Sequence, residues 1–331
     1  MTRHMRWVLC GLALVLSLWR PGGDSASAQT LYSSGQTVQP AFEGWERNRD
    51  GTFTFWFGYL NRNYVEEPIV PIGPDNFLEP GQADHGQPTH FYPRRQMFVF
   101  KVTVPADWGK KDLVWTVRHN GKALTAVASL LPSWIIDEGV WKANRGSGQS
   151  SPEPNERMRM KEGEYRPNQP PSVKVVGDST LTVTLPATVT LTVAASDDGK
   201  PGPRPRRPPR TSPGIPPQTP DEPLPLNLPA IGGRRPSAGS GTGGPTDQNM
   251  VKASVAYETG LAVAWLHYRG PGRVTFEPMS QPVKPEDGKA VTTASFSTAG
   301  TYVIRAVADD GNYTTPVDVT VVVKEAPQTR R

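Results

Sequence analysis

The sequence predicts an all-β protein with two antiparallel β-sandwich domains. Apolar residues alternate with small or polar ones in VTLTVAASDDG (189–199) and in GTYVIRAVADDG (300–311), and both runs stop at Asp-Asp-Gly. Further alternating segments lie on both sides of these runs, and this period of two is typical of half-buried strands. A chain of 331 residues is long enough for two domains that each have a core.

The first residues have the layout of a secretory signal peptide, 1–28. Arg3 and Arg6 precede the apolar stretch WVLCGLALVLSLW, and a polar segment follows that ends in ASA. The apolar run of about thirteen residues is too short to cross a bilayer. We therefore expect cleavage after Ala28, a secreted or periplasmic protein, and no transmembrane segment in the mature chain. Cleavage also removes Cys10, the single cysteine.

Residues 29–136 are predicted to form an aromatic-rich β-sandwich. The pair DG at 50–51 marks a hairpin turn, and NG at 120–121 marks a second one inside LVWTVRHNGKALTAVASL. MFVFKVTVP alternates again from 97 to 104, whereas the stretch 65–96 is rich in Pro and Gly and is expected to be irregular. One strand places a row of aromatic residues on a single face, namely Phe53, Phe55, Phe57 and Tyr59.

A second sandwich is predicted at 169–324, after a linker at 137–168 and before a short tail at 325–331. Its strands are carried by KVVG, LTVTLP, VTLTVAASDDG, LAVAWLHYRGPGRVTFEP, TTASFS, GTYVIRAVADDG and DVTVVV. An insert at 200–249 interrupts them. This insert is rich in Pro and Arg and has no buriable face, so we expect it to be disordered.

The second domain resembles the PKD-like branch of the immunoglobulin-like sandwiches found in bacterial exported proteins. The resemblance rests on NQPPSV (168–173), VTLTVAASDDG, WLHYRGPGRVTF, TTASFSTAGTYVIRAVADDG and DVTVVV. It implies an immunoglobulin-like fold. Tyr302 follows a Gly-Thr turn at the start of a strand, which matches a tyrosine corner, and Trp265 lies where such sandwiches bury a large aromatic. The first domain, with GYLNRN and GQPTHFYPRRQ, resembles other exported bacterial proteins, a similarity that implies no activity.

Composition and motifs argue against nucleic-acid binding and catalysis. The net charge is +5, but seven basic residues lie in the proline-rich insert and not on a folded face. The chain has no nucleophile elbow, zinc-protease helix, phosphate-binding loop or dinucleotide-binding glycine pattern. We therefore predict a protein that is not an enzyme.

The loop 84–95 is the one segment that concentrates chemically active side chains. Asp84, His85 and His90 have the donor types that a catalytic zinc site uses. Such a site would make the chain a metal-dependent enzyme. The simpler interpretation is that Asp84 begins a turn and that His90 and its neighbours pack against the sandwich. We prefer this interpretation and therefore assign no metal-binding, catalytic or cofactor-binding residue.

A sugar-binding surface is a further alternative, because exposed aromatic rings on a β-sandwich can stack on sugar rings. Trp56 lies opposite the phenylalanine face of its strand, and this alternative requires its indole to be exposed. Tyr92, Arg94 and Arg95 in the neighbouring loop are the other candidate ligand-binding residues.

The two Asp-Asp-Gly turns are candidates for calcium, which prefers carboxylate and carbonyl oxygens. The carboxylates are Asp197, Asp198, Asp309 and Asp310. Asp-Gly is also a common way to end a strand, so we expect no cofactor. Bound Ca²⁺ is the alternative.

The sequence thus favours a non-catalytic binding or scaffolding protein at the cell envelope or outside the cell, with a protein or glycan partner. A carbohydrate-binding module and a metal-dependent enzyme remain the two alternatives.

Overall fold

The computed structural model describes residues 32–137, 140, 168–200 and 260–326. The predicted signal peptide, most of the linker and nearly all of the proline-rich insert lie outside these residues, so the domain boundaries and the disorder of the insert stay predictions. Within the described part of the chain, no helix has both the length and the apolar character needed to cross a membrane.

The first sandwich consists of two three-stranded antiparallel sheets. One sheet has the order β1-β2-β4 and the other β3-β5-β6. In chain order this is the A-B-E and C-F-G arrangement of the immunoglobulin type. The strands are β1 (Val38–Arg47), β2 (Phe53–Asn61), β3 (Asn76–Glu79), β4 (Arg94–Val104), β5 (Leu113–His119) and β6 (Lys122–Ala128).

The second sandwich has a four-stranded sheet, β11-β13-β9-β7, and a five-stranded sheet, β12-β10-β14-β15-β8. These correspond to the A-B-E-D and C-F-G sheets of the immunoglobulin type. The strands are β7 (Ser172–Val175), β8 (Thr180–Thr184), β9 (Ala187–Ser196), β10 (Ala262–Arg269), β11 (Val274–Glu277), β12 (Ser280–Pro282), β13 (Lys289–Phe296), β14 (Gly300–Asp309) and β15 (Thr314–Lys324).

The predicted all-β class and the two antiparallel sandwiches are confirmed by these sheets. The two Asp-Asp-Gly runs are β9 and β14, and they lie in opposite sheets of one sandwich. One pair departs from the antiparallel pattern, since β8 runs parallel to β15. The turn at Asn120 and Gly121 has φ angles of 50° and 72°, as the predicted two-residue hairpin requires.

Aromatic residues fill both cores, as their alternation predicts. Phe55, Phe57 and Tyr59 on β2 are buried. In the second sandwich Trp265 is buried, and the Tyr302 hydroxyl donates a hydrogen bond to the Thr298 carbonyl over 2.7 Å. This bond to the backbone just upstream is the tyrosine corner expected from the resemblance.

The stretch 65–96 differs from the prediction because it contains a strand, β3, and packs closely. Asn76 is buried there and donates to the carbonyls of Val70 and Pro88 over 3.0 and 2.8 Å, while its own side-chain oxygen accepts from Trp115 over 2.9 Å. A single buried amide therefore holds the irregular segment onto the second sheet. Proline and glycine content indicated irregular backbone correctly but gave no sign of this anchoring.

Candidate functional site

The loop that connects β3 to β4 lies against strand β10 of the second sandwich. One edge of β10 is paired with β12 only at 262–264, so the remainder of that edge is open to another partner. The backbone N–H groups of Thr89 and His90 both donate to the Tyr268 carbonyl, over 3.1 and 3.4 Å. Gly270 N–H donates to the Thr89 hydroxyl over 3.1 Å. We call this contact between the loop 84–92 and the segment 266–270 the interdomain interface.

Asp84 forms a two-point ion pair across the interdomain interface. Its carboxylate oxygens accept from the Arg269 guanidinium over 3.0 and 2.7 Å. The hydrogen bonds from Arg269 lower the pKa of the Asp84 carboxyl. Arg269 also donates from Nε to the Gln87 carbonyl over 2.8 Å. The planar guanidinium thus fixes the loop through a carboxylate and a carbonyl at once.

His90 has partners at both ring nitrogens. Its Nε2 lies 3.1 Å from the Glu67 carboxylate, and its Nδ1 lies 3.2 Å from the His267 carbonyl. The ring stacks on the His267 ring with 4.4 Å between centroids. Its imidazole is therefore occupied by contacts within the protein.

The three metal candidates do not converge. Asp84 faces Arg269 and His90 faces Glu67, while the backbone N–H of His85 donates to the Gln87 side chain over 2.8 Å. In the part of the chain that the structure describes, no group of three or more His, Cys, Asp or Glu side chains is arranged to hold a metal ion. Asp84 and His90 instead contact residues of the second sandwich, Arg269 and His267.

Tyr92 is buried and connects the two sandwiches through its hydroxyl. The hydroxyl accepts a hydrogen bond from the His267 backbone N–H over 2.9 Å, and the Tyr92 backbone N–H donates to the Tyr59 hydroxyl over 2.9 Å. Its side chain packs against Leu266 and Val307. Burial raises the pKa of the Tyr92 phenol. A side chain placed in this way is not a surface ligand site.

His267 is buried in the same interface with an unusual environment. Neither of its ring nitrogens has a hydrogen-bond partner. Burial, and then the nearby His90, lower the pKa of His267 to about 3. The ring is therefore neutral at physiological pH and serves as a packing surface for His90 and Tyr302.

Tyr268 extends from the second sandwich into the core of the first. Its ring belongs to the same apolar cluster as Trp115 and Phe91. Its hydroxyl donates to the Gly86 carbonyl over 2.5 Å, and the Arg305 guanidinium lies 3.5 Å from its ring centroid. The cores of the two sandwiches are thus connected by a side chain as well as by backbone contacts.

Arg305 adds a second polar connection beside Tyr268. It donates to both oxygens of Asp318 on the neighbouring strand over 2.8 and 2.9 Å, and to the Val99 carbonyl of the first sandwich over 3.1 Å. A guanidinium held by a carboxylate and stacked on an aromatic ring has little freedom. Val99 is consequently held at a fixed position relative to β14.

The sugar-binding candidates are corrected by the structure. Trp56 has no exposed surface, because Phe98 and Ile136 pack on its side of the sheet. Its indole N–H donates to Glu46 over 2.6 Å. The exposed indole that the sugar-binding alternative requires at Trp56 is therefore not found. Trp134 is the tryptophan with the largest exposed fraction among the described ones, at 45%.

Arg94 and Arg95 also have internal partners. The Arg94 guanidinium lies 4.1 Å from the Tyr64 ring centroid, and Arg95 donates to Glu43 over 2.7 Å. Neither arginine points toward the interdomain interface contacts of Tyr92, so these candidates do not form one ligand site.

The Asp-Asp-Gly carboxylates accept backbone N–H groups within their own turns. Asp197 accepts from Gly199 over 2.8 Å and Asp198 from Lys200 over 3.0 Å. In the other turn Asp309 accepts from Gly311 over 2.7 Å. Asp310 accepts from the backbone N–H groups of Asn312 and Tyr313 over 2.6 and 2.7 Å. These bonds fix the two turns.

Sequence reasoning located one side of the interdomain interface and missed the other. The loop was recognised from its density of histidine, aspartate and arginine, whereas the segment WLHYRG was interpreted only as a strand. The sequence offered one signal, because AVAWLHY at 262–268 does not alternate apolar with polar residues as a strand exposed on one face would, and all seven of these residues are buried in the structure. Polar side chains within a strand buried on both faces indicate a contact with a second structure.

Comparison with known proteins identifies no family. No family model matches the sequence, and no curated protein matches it either. Similar solved structures include the fibronectin(III)-like modules of Clostridium thermocellum CbhA, with 10% identity, 89% of this chain and 98% of that chain covered, and a TM-score of 0.22. They also include titin immunoglobulin domains, with 9% identity over 89% of this chain and 66% of that chain and a TM-score of 0.23. Domains 4 and 5 of the S-layer protein SbsC show 11% identity over 89% of this chain and 92% of that chain, with a TM-score of 0.21. At these low scores, the fold assignment rests on the strand order described above.

Proposed function

We propose that this chain is a non-catalytic, exported scaffolding protein whose two sandwiches act as one rigid binding unit. The observation that carries the proposal is the interdomain interface, in which the side chains best suited to chemistry bind one another. Asp84 pairs with Arg269 and His90 with Glu67. The described residues of both sandwiches fall into one compact unit. A fixed arrangement of two sandwiches suits a protein that holds a partner at a defined position.

The rigidity of the interface can be measured by spin labelling, because cleavage after Ala28 would leave no native cysteine. Lys122 and Lys289 lie on exposed positions of the two sandwiches and are suitable for cysteine labels. We expect a narrow distribution of distances between the labels in the mature chain and a broad one in Tyr268→Ala. A broad distribution in the otherwise unchanged chain contradicts the proposal.

Export follows from residues 1–28 and has its own test. N-terminal sequencing of the protein from an envelope or medium fraction should begin at Gln29. Recovery of the full-length chain from the cytoplasm would contradict the proposed location.

The proposed partner is a protein of the cell envelope, because the candidate sugar-stacking residue Trp56 is buried. Cross-linking of the mature chain on intact cells, with a glycan array in parallel, separates the two classes of partner. We expect saturable cross-linking to a protein and no array signal. Glycan binding that Trp134→Ala abolishes would overturn this choice.

A further inference from the structure

One end of the second sandwich gathers oxygen atoms from three distant segments. Asn168 precedes β7, Asp197 follows β9 and Asp310 follows β14. The Asn168 amide donates from Nδ2 to the Asp310 carboxylate over 2.9 Å, across 142 residues of sequence. Both residues are well buried, with 9% of Asn168 and 1% of Asp310 exposed. The segment that enters the sandwich is therefore joined to the Asp-Asp-Gly turn that ends β14.

Three buried oxygens at this end have no hydrogen-bond partner. They are Oδ1 of Asn168, Oδ1 of Asp197 and Oδ1 of Asn312. Buried polar atoms in folded proteins are normally paired, so several unpaired atoms of one kind require a cause. All three are acceptors, and what satisfies a set of acceptors must be a donor or a cation.

The charge of the site favours a cation over a neutral donor. Asp197 and Asp310 are both carboxylates and lie close enough for their charges to interact. The Oδ1 atom of Asp197 and the amide oxygens of Asn168 and Asn312 are the unpartnered acceptors beside them. A cation satisfies carboxylates and amide oxygens together, whereas a neutral donor leaves the negative charges uncompensated.

The donor set selects the kind of cation. Carboxylate and amide oxygens on flexible turns are the ligands of Ca²⁺, whereas Zn²⁺ prefers imidazole and thiolate, and Mg²⁺ needs a strict octahedron. We propose that Asn168, Asp197, Asp310 and Asn312 form a calcium-binding site that ties the first residues of the second sandwich to its two Asp-Asp-Gly turns. In the second turn the aspartate that takes part is Asp310, which Asn168 contacts, and in the first turn it is Asp197, since Asp198 is exposed.

The test uses the purified mature chain, so it does not depend on the proposed partner or on export. After treatment with EDTA, calorimetric titration with CaCl₂ should give one site with a Kd on the order of 10⁻⁴ to 10⁻³ M, the range of extracellular calcium modules. Thermal unfolding should show a Tm that rises with CaCl₂ and responds much less to MgCl₂.

Two variants distinguish a ligand from a merely structural residue. Asp197→Asn should abolish the response to calcium, yet in EDTA it should be at least as stable as the unchanged chain, because it removes repulsion between two carboxylates. Asp198→Asn, the matched control in the same turn, should keep the full calcium response. The proposal is overturned if millimolar calcium gives neither heat nor a shift in Tm, or if the two variants lose the response equally.

Discussion

Acid should weaken the fold through His267 in a way that can be isolated from other groups. The folded-state pKa of His267 is lowered to about 3, while a histidine in an unfolded chain has a pKa of about 6.5. Between these values the unfolded chain binds a proton that the folded chain does not. Stability is therefore greatest above about pH 6.5 and is lost as the pH falls toward the folded value.

The size of the effect at pH 5 follows from the unfolded pKa alone. The interval from 6.5 to 5 is about 1.5 units, and each unit corresponds to about 1.36 kcal/mol, so the free energy of unfolding should fall by about 2 kcal/mol relative to pH 7.5. Asp310 acts in the opposite direction, since burial raises its pKa in the folded chain to about 6. The folded chain therefore binds a proton at Asp310 more readily than the unfolded chain does, and acidification stabilises the fold through this group. The unchanged chain alone would therefore understate the contribution of His267.

A comparison with His267→Gln removes this complication. Urea unfolding followed by tryptophan fluorescence, in EDTA throughout, gives the free energy of unfolding of both proteins at several pH values. The difference between them should change by about 2 kcal/mol from pH 7.5 to 5 and stay flat from pH 7.5 to 8.5. A difference that does not depend on pH would refute the assignment of a neutral, buried His267.

Three further substitutions test the contacts described above. Arg269→Ala removes a two-point ion pair and a carbonyl contact and should lower the free energy of unfolding by about 1 to 3 kcal/mol. Arg118→Ala removes an exposed one-point ion pair with Asp75 and a contact with the Pro74 carbonyl, and it should cost below about 1 kcal/mol in the same urea assay. Tyr302→Phe removes the hydroxyl that makes the corner hydrogen bond and should cost about 0.5 to 1.5 kcal/mol by thermal unfolding. Trp56→Ala empties a buried site and should cost about 3 to 5 kcal/mol, while the half-exposed Trp134→Ala should cost far less, and equal losses would contradict the placement of Trp56.

Local patterns were sufficient for the strands and turns. The period of two in FTFWFGY correctly placed Phe55 and Phe57 in a core, because alternation on one strand depends only on the strand itself. The Asn120-Gly121 turn and the Tyr302 corner were likewise predictable, since each is formed by residues a few positions apart.

The same period left the exposure of Trp56 undecided. It correctly placed the indole on the opposite face from the phenylalanines, but an opposite face is exposed only if nothing covers it. Ile136, about eighty positions further along the chain, packs on that face together with Phe98, and its backbone N–H donates to the Trp45 carbonyl over 2.9 Å. No pattern within β2 carries this information.

The all-β class, the main hairpins and the position of the loop with the unusual side chains follow from residue type and short-range order. What those side chains contact depends on how distant segments pack. His90 meets His267 across 177 positions and Asn168 meets Asp310 across 142, pairings set by which strand edges and turns remain open once both sandwiches have formed. Which strand edges and turns remain unpaired is a property of the whole packed chain. His90 and His267 therefore lie in the interdomain interface, and Asn168 and Asp310 lie in the candidate calcium site.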